Sequence, residues 1–104
     1  MNEIKKFNDE KLSNIVRLGS DDYLSNISRQ WIKDTSPYKY TYNFSWMGCP
    51  IIQFPQDMVA MQEIIWDVKP DLIIETGIAH GGSLIMNATL LAMLELCDAT
   101  EKGE

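Results

Sequence analysis

The sequence predicts an α/β fold, and three observations support this prediction. Between Pro70 and Ser83 the chain reads PDLIIETGIAHGGS, in which an apolar run that ends in an acid, residues 71–75, is followed by a glycine-bearing loop. Ser83 then opens an apolar segment with helical periodicity. Further stripes of apolar residues at helical spacing precede this unit. A buried strand, a tight loop and a helix start in this order are typical of folds that hold an adenosine-type cofactor.

The N-terminal part of the chain predicts two helices, over residues 8–18 and about 21–33. Gly19 suits the end of the first helix, and Ser20 and Asp21 offer caps for the second. Both helices carry apolar stripes at helical spacing, formed by Leu12, Ile15 and Val16 and by Leu24, Ile27, Trp31 and Ile32. We expect residues 1–35 to form an N-terminal helical cap or a surface for a partner.

Aromatic residues alternate with other residues after the breaker at 34–37. The alternating positions hold Tyr38, Tyr40, Tyr42, Phe44 and Trp46. This period of two predicts an extended chain with one aromatic face. The face either packs on the helices or contributes rings to a substrate pocket, since aromatic faces suit sugars and flat rings.

Residues 36–104 are expected to begin the cofactor-binding domain. Gly48, Pro50 and Pro55 predict a loop over 47–56. Asp57 is a plausible N-cap for a helix over about 58–68. That helix would bury Met58, Met61, Ile65 and Val68, and a last helix over about 83–97 would bury Ile85, Ala88, Leu91 and Ala92, with Leu94 or Cys97.

Charge and composition exclude several classes of function. The 104 residues carry a formal net charge of −6, which disfavours nucleic acid or an anionic membrane as the main partner. The nearest candidate for a membrane span, residues 84–94, is short and interrupted by polar residues, so we expect no membrane span. Neither a secretory signal nor a CxxC pair is evident, and we expect a cytoplasmic protein with Cys49 and Cys97 as reduced thiols. With His80 as the single histidine, a His- and Cys-rich zinc site is not expected.

The loop after the predicted strand favours one cofactor over another. Its pattern is E-x-G-x-A-x-G from Glu75 to Gly81, whereas dinucleotide sites use G-x-G-x-x-G. A carboxylate at Glu75 would repel a pyrophosphate. S-adenosylmethionine instead carries an ammonium and a sulfonium that attract a carboxylate, and a carboxylate that suits a helix start. The charge pattern therefore favours S-adenosylmethionine over NAD, although Glu75 could equally be a strand-end acid that caps local structure, and His80 an exposed loop residue.

One run of sequence resembles a known family. The segment YNFSWMGCPIIQFPQDMVAMQEIIWDVKPDLIIETGIAHGGSL closely resembles the cephalosporin hydroxylase / rhamnosyl O-methyltransferase family, over roughly residues 38–95. The resemblance implies a Rossmann-like class I methyltransferase fold, S-adenosylmethionine as the methyl donor, and a divalent metal such as magnesium. It also implies a sugar or small-molecule hydroxyl as the acceptor. Methyl transfer, rather than hydroxylation, is the activity that the loop supports.

The resemblance carries over to the matching positions of ETGIAHGGS. The residues expected around the methionine part of the cofactor are Glu75, Thr76, Gly77, Ala79, His80, Gly81, Gly82 and Ser83. Gln53 is expected to approach the cofactor from the other side. No catalytic base and no metal ligand is assigned within this chain.

Family members look about twice as long as this chain, so the resemblance implies a truncated N-terminal portion of the fold. The second strand and its ribose-binding acid would begin near the end of the sequence. Asp98 lies about 20 residues after Gly77, but no strand pattern precedes it. We therefore expect an incomplete, inactive methyltransferase that a complementing chain or a homo-oligomer would complete. The alternative is a non-enzymatic remnant or a helical interaction module that needs a partner chain.

Overall fold

The computed structural model describes residues 2–101, with the side chain of Thr100 excepted. The chain divides after Tyr38 into two compact units, which are described separately. The sequence predicted a boundary after residue 35, where the second helix of the structure ends.

The first unit consists of two helices and a short 3-10 turn. Helix α1 spans Asn2–Gly19 and helix α2 spans Asp22–Thr35, followed by the turn Ser36–Tyr38. The Asp21 carboxylate accepts a hydrogen bond of 3.0 Å from the backbone N–H of Leu24, which confirms Asp21 as the N-cap of α2. Neither helix buries a residue, so both predicted apolar stripes are largely exposed.

The predicted extended aromatic segment is wrong over most of its length. Residues Ser36–Tyr38 and Tyr40–Tyr42 form 3-10 turns, separated by Lys39 with a positive φ of 49°. Only Phe44–Trp46 is a strand, because only this part has a neighbouring strand to pair with. A pattern with period two therefore does not distinguish a strand from consecutive 3-10 turns in this segment.

In the second unit the 3-10 turn Tyr40–Tyr42 is followed by a β-hairpin, although the sequence predicted a loop over 47–56. Strands β1 (Phe44–Trp46) and β2 (Cys49–Ile51) pair antiparallel, with Trp46 opposite Cys49. Met47 and Gly48 both have positive φ, as a type I′ turn requires. The strand at Pro50 was not predicted because proline lacks an N–H group and cannot donate a hydrogen bond to a neighbouring strand. Hydrogen-bonded and non-hydrogen-bonded pairs alternate along a hairpin, however, and a non-hydrogen-bonded position needs no N–H group. In a hairpin closed by two turn residues, Pro50 occupies a non-hydrogen-bonded position.

Helix α3 spans Pro55–Val68 and begins earlier than predicted. Its N-cap is Phe54, with Pro55 at the first helical position, so Asp57 is a first-turn acid and not the cap. The helix ends at Lys69 in the left-handed region, and the Lys69 ammonium lies 3.7 Å from the ring centroid of Trp66.

The predicted strand over 71–75 is not a strand in the structure. This segment has no assigned secondary structure, and no strand among residues 2–101 pairs with it. Its side chains still alternate: Leu72 and Ile74 are 72% and 81% exposed, whereas Ile73 and Glu75 are half-buried. A parallel strand needs a neighbour for its backbone hydrogen bonds, and the apolar pattern alone does not provide one.

Helix α4 spans Gly82–Glu101 and contacts β1, β2 and α3. Its buried face was predicted only in part: Leu91 and Leu94 are half-buried, but Ile85, Ala88 and Ala92 are exposed, and the buried residues are Gly82, Met86 and Asn87. This helix is apolar on nearly all sides, so the sequence could not identify the face that packs. The buried apolar residues of the described chain are Ile51, Ile65 and Met86. The described fold is a mixture of helices and a two-stranded antiparallel sheet, compatible with the α/β class.

Helix α4 also bears on the expectation that no segment spans a membrane. Residues 82–99 are, by length and composition alone, apolar enough to cross a bilayer, with a mean hydropathy of 1.3. The apolar stretch is thus longer than residues 84–94, and the absence of a membrane span stays a prediction. Core helices meet the same criterion, and α4 contacts both strands of the hairpin and has Met86 and Asn87 buried.

Candidate functional site

A small cavity lies where β2, the loop over 76–81 and the start of α4 meet. Its volume is about 170 Å³. The predicted cofactor residues that line it are Gln53, Glu75, Thr76, Gly77, Ala79, His80, Gly82 and Ser83. The structure thus brings Gln53, from the segment after β2, together with residues more than 20 positions later in the sequence. Their role in binding a cofactor remains a prediction.

Gly81 is the one predicted residue that does not line the cavity. Its backbone N–H donates to the carbonyl of Ile78 at 2.9 Å, and its carbonyl accepts from the N–H of Ile85 at 2.9 Å. Gly81 therefore closes the loop turn and receives the first hydrogen bond of α4. Its φ of 86° lies in a region that favours glycine.

The loop backbone is left-handed at three positions. Gly77 and Gly81 have φ values of 71° and 86°, and Ala79 has a φ of 51°. A non-glycine residue in this region is strained by about 1–2 kcal/mol. Ala79 therefore stores strain in the wall of the cavity, where such strain is often associated with function.

The start of α4 approaches β2 very closely. A Cβ atom built on Gly82 would meet the carbonyl oxygen of Pro50 and would lie 2.7 Å from the Cα atom of Ile51. Only glycine lets the helix start come this near to the strand. The close approach places the N-terminus of α4, with its free N–H groups and positive partial charge, at the cavity.

Glu75 is held by a residue of α4. The side-chain amide of Asn87 donates a hydrogen bond of 2.9 Å to Oε2 of the Glu75 carboxylate. The Glu75 side chain is half-buried and lines the same cavity as Gly82 and Ser83, so its carboxylate lies close to the start of α4. The site therefore combines a negative charge with the positive end of a helix, and it could receive a ligand that carries a cation and an anion close together.

Asn87 is itself unusual. It is 4% exposed, and its Oδ1 atom is buried without a hydrogen-bond partner in the described part of the chain. An unsatisfied buried acceptor of this kind costs about 1–3 kcal/mol. A side chain retained at such a cost needs a reason, and here the other half of the amide contacts the candidate site.

Two further contacts fix the elements around the cavity. The indole Nε1 of Trp46 donates to Oγ1 of Thr89 at 2.9 Å, which joins β1 to α4. The thiol of Cys49 donates to the backbone carbonyl of His80 at 3.2 Å, which joins β2 to the loop. Both cysteines of the chain are free thiols. The His80 backbone thus supports the loop, while its side chain lines the cavity.

A larger cavity of about 450 Å³ lies elsewhere, between the end of α3 and the C-terminal half of α4. None of the predicted cofactor residues lines it. Within residues 2–101, no three His, Cys, Asp or Glu side chains form a group that could hold a metal ion. The magnesium implied by the resemblance therefore has no ligand set in the described part of the chain.

Part of the site was not predicted from the sequence. Pro50, Ile51 and Ile52 also line the cavity, and they were not expected there because the hairpin was not predicted. Asn87 was also missed, although a signal was present: a lone asparagine stands in the apolar run LIMNATLL of a predicted core helix. A polar residue in such a position requires a polar partner, and Glu75 is that partner.

Comparison with known proteins gives one match. The family model described as rhamnosyl O-methyltransferase/CmcI matches residues 38–102 of the 104-residue chain. The match includes the hairpin, α3, the glycine-bearing loop and all of α4. No curated protein and no solved structure matches the chain. The family match covers more than half of the sequence, and the chain belongs to the rhamnosyl O-methyltransferase/CmcI family.

Proposed function

We propose that this chain provides the donor side of an S-adenosylmethionine-dependent O-methyltransferase that modifies a hydroxyl of a sugar or another small molecule. Membership of the family supports an O-methyltransferase of the CmcI type. The observation that carries the proposal is the cavity in which the Glu75 carboxylate and the start of α4 lie together. Methyltransferases use S-adenosylmethionine in general, which agrees with the charge pattern of this cavity.

The residues of the cavity fit the methionine part of that cofactor. Glu75 supplies a carboxylate for the ammonium group, and the first N–H groups of α4 supply donors for the carboxylate. The volume of about 170 Å³ is below the range of pockets that enclose whole ligands, about 300–1,000 Å³. It is therefore suited to part of the cofactor, and the adenosine would extend outside it.

The contribution of these residues to methyl transfer is binding and orientation. The bound cofactor supplies an electrophilic methyl group on a sulfonium. Glu75 and the start of α4 hold the two charged ends of the methionine part, and Gly77, where a Cβ atom would meet nothing within 4 Å, leaves room for the backbone to approach it closely. Fixing the donor in this way lowers the entropic cost of reaching the transition state.

We further propose that the described residues do not transfer a methyl group by themselves. Leu72 and Ile74 are exposed apolar side chains on a segment that alternates like a strand. Parallel strands of this kind are normally covered on both faces. Additional strands, from further chain or from a partner subunit, would pair with residues 71–75 and bring the acceptor site.

A second candidate is a helical interaction module without activity. Helices α1 and α2 bury no residue and expose apolar side chains such as Phe7 and Trp31. Exposed apolar faces of this extent are typical of surfaces that bind another protein. This candidate predicts partner binding but no affinity for S-adenosylmethionine.

Calorimetric titration of the chain with S-adenosylmethionine, and separately with NAD, tests the proposal. We expect binding of S-adenosylmethionine and no binding of NAD, because the Glu75 carboxylate attracts an ammonium and repels a pyrophosphate. Binding of NAD alone would replace the proposal with a dinucleotide site. Binding of neither would favour the interaction module.

A further inference from the structure

We infer that Asn87 is a positioning residue of the candidate site: its side-chain amide orients the Glu75 carboxylate to receive the ammonium group of the cofactor. The inference rests on the proposed function, since it assigns a role to Asn87 in that same site. It is carried by the hydrogen bond of 2.9 Å between Nδ2 of Asn87 and Oε2 of Glu75.

The chemistry of the two groups determines which end of the amide faces Glu75. An ionised carboxylate only accepts hydrogen bonds, so the NH₂ end of the Asn87 amide must point towards it. The carbonyl end then points away and is left as a buried acceptor without a partner among the described residues. The Asn87 amide thus donates a hydrogen bond to the Glu75 carboxylate through Nδ2, while its own Oδ1 accepts none from the described residues.

Asn87 lies on a buried part of α4 that packs against the rest of the second unit. It follows Met86, which is 1% exposed, and Thr89 of the same helix turn accepts the indole hydrogen bond of Trp46. Glu75, by contrast, ends a segment that has no strand partner in the described chain. The hydrogen bond therefore ties the carboxylate, through Oε2, to a fixed point on α4.

A positioning role and a purely structural role have different consequences. If Asn87 acts through Glu75, its loss weakens only ligands that carry the ammonium group. If Asn87 merely joins α4 to the loop, its loss weakens every ligand of the cavity in proportion to the loss of stability. The comparison of ligands with and without the amino-acid part separates the two.

The test uses S-adenosylhomocysteine and methylthioadenosine, two thioethers that differ in the amino-acid part. Calorimetry measures the dissociation constants of both for the full chain and for the variants Asn87→Ala, Glu75→Gln and the double variant. Thr89→Val serves as the matched control, because it removes a different side-chain hydrogen bond of α4, the one that Thr89 accepts from Trp46. Thermal unfolding of every variant is recorded alongside.

We expect Asn87→Ala to weaken S-adenosylhomocysteine about tenfold and to leave methylthioadenosine unchanged. The double variant should bind no more weakly than Glu75→Gln alone, because Asn87 acts through Glu75. Thr89→Val should leave the ratio of the two affinities unchanged. Equal weakening of both ligands by Asn87→Ala, or additive losses in the double variant, would overturn the inference while the proposed function stands. If the wild-type chain binds neither ligand, the proposed function fails and the inference fails with it.

Discussion

Gly82 lies so close to Ile51 that a Cβ atom at position 82 would be 2.7 Å from the Cα atom of Ile51. Two of the three nearest atoms are backbone atoms of β2, including the carbonyl oxygen of Pro50, and the third is the Cβ atom of Ile51, so none can rotate away as the end of a flexible side chain would. This contact places the start of α4 against the hairpin and so shapes the cavity that holds Glu75.

Gly82→Ala should therefore destabilise the chain. Overpacking of this kind costs about 1–3 kcal/mol, because either the helix start or the strand must shift. Urea denaturation measures the loss. Gly19→Ala is the control, since a Cβ atom at Gly19 would meet nothing within 4 Å. If the two variants lose the same free energy of unfolding, the close approach of α4 to β2 is wrong.

The hydrogen bond between Trp46 and Thr89 leads to a second prediction. Thr89→Val keeps the shape of the side chain but leaves the partly buried indole N–H without its acceptor. We expect a loss of about 1–3 kcal/mol in the free energy of unfolding. Thr35→Val is the matched control, because its hydroxyl bonds only to backbone carbonyls of its own helix. A similar loss in both variants would show that the bond to Trp46 contributes nothing.

The hairpin turn offers a stabilising substitution. Met47 is 83% exposed and has a φ of 48°, a conformation that asparagine tolerates better than methionine. Met47→Asn should raise the free energy of unfolding by about 0.5–1 kcal/mol, since it creates the Asn-Gly pair typical of type I′ turns. The same change in the interior of α4, Met93→Asn, should lower it, because asparagine is a weaker helix former. Destabilisation by Met47→Asn would argue against the type I′ turn.

The strained loop leads to a fourth prediction, with different outcomes at two positions that are separated by one residue. Gly77→Ala should cost about 1–2 kcal/mol, because alanine is strained at a φ of 71°. Ala79→Gly should instead leave stability unchanged or raise it by up to about 1 kcal/mol, since relief of strain outweighs or balances the gain in unfolded-state entropy. Chemical denaturation of both variants decides the matter. A clear loss in Ala79→Gly would contradict the left-handed conformation at Ala79.

The sequence predicted the helices and most of the candidate site because those depend on local patterns. Asp21 as a cap, and Glu75 to Ser83 as one loop around a helix start, follow from neighbouring residues. The hairpin could not be predicted because a proline fits a paired strand only at a non-hydrogen-bonded position. Whether Pro50 occupies such a position depends on the register in which β1 and β2 pair. The packing face of α4 could not be predicted because the helix is apolar on nearly all sides, and the face depends on where β1 and β2 lie. The segment 71–75 has the pattern of a strand but lacks the neighbour that would make it one among the described residues.

The most direct test of the central claim is the affinity of the chain for S-adenosylhomocysteine before and after Glu75→Gln. Calorimetry should show binding to the wild-type chain and a loss of about 10- to 100-fold in the variant, because a charge-assisted hydrogen bond to the ammonium group is removed. Glu63→Gln is the matched control: it removes the same charge from an exposed position on α3 that does not line the cavity, and its affinity should equal that of the wild type. Equal affinities for the wild-type chain and Glu75→Gln would contradict the assignment of Glu75 to the donor site.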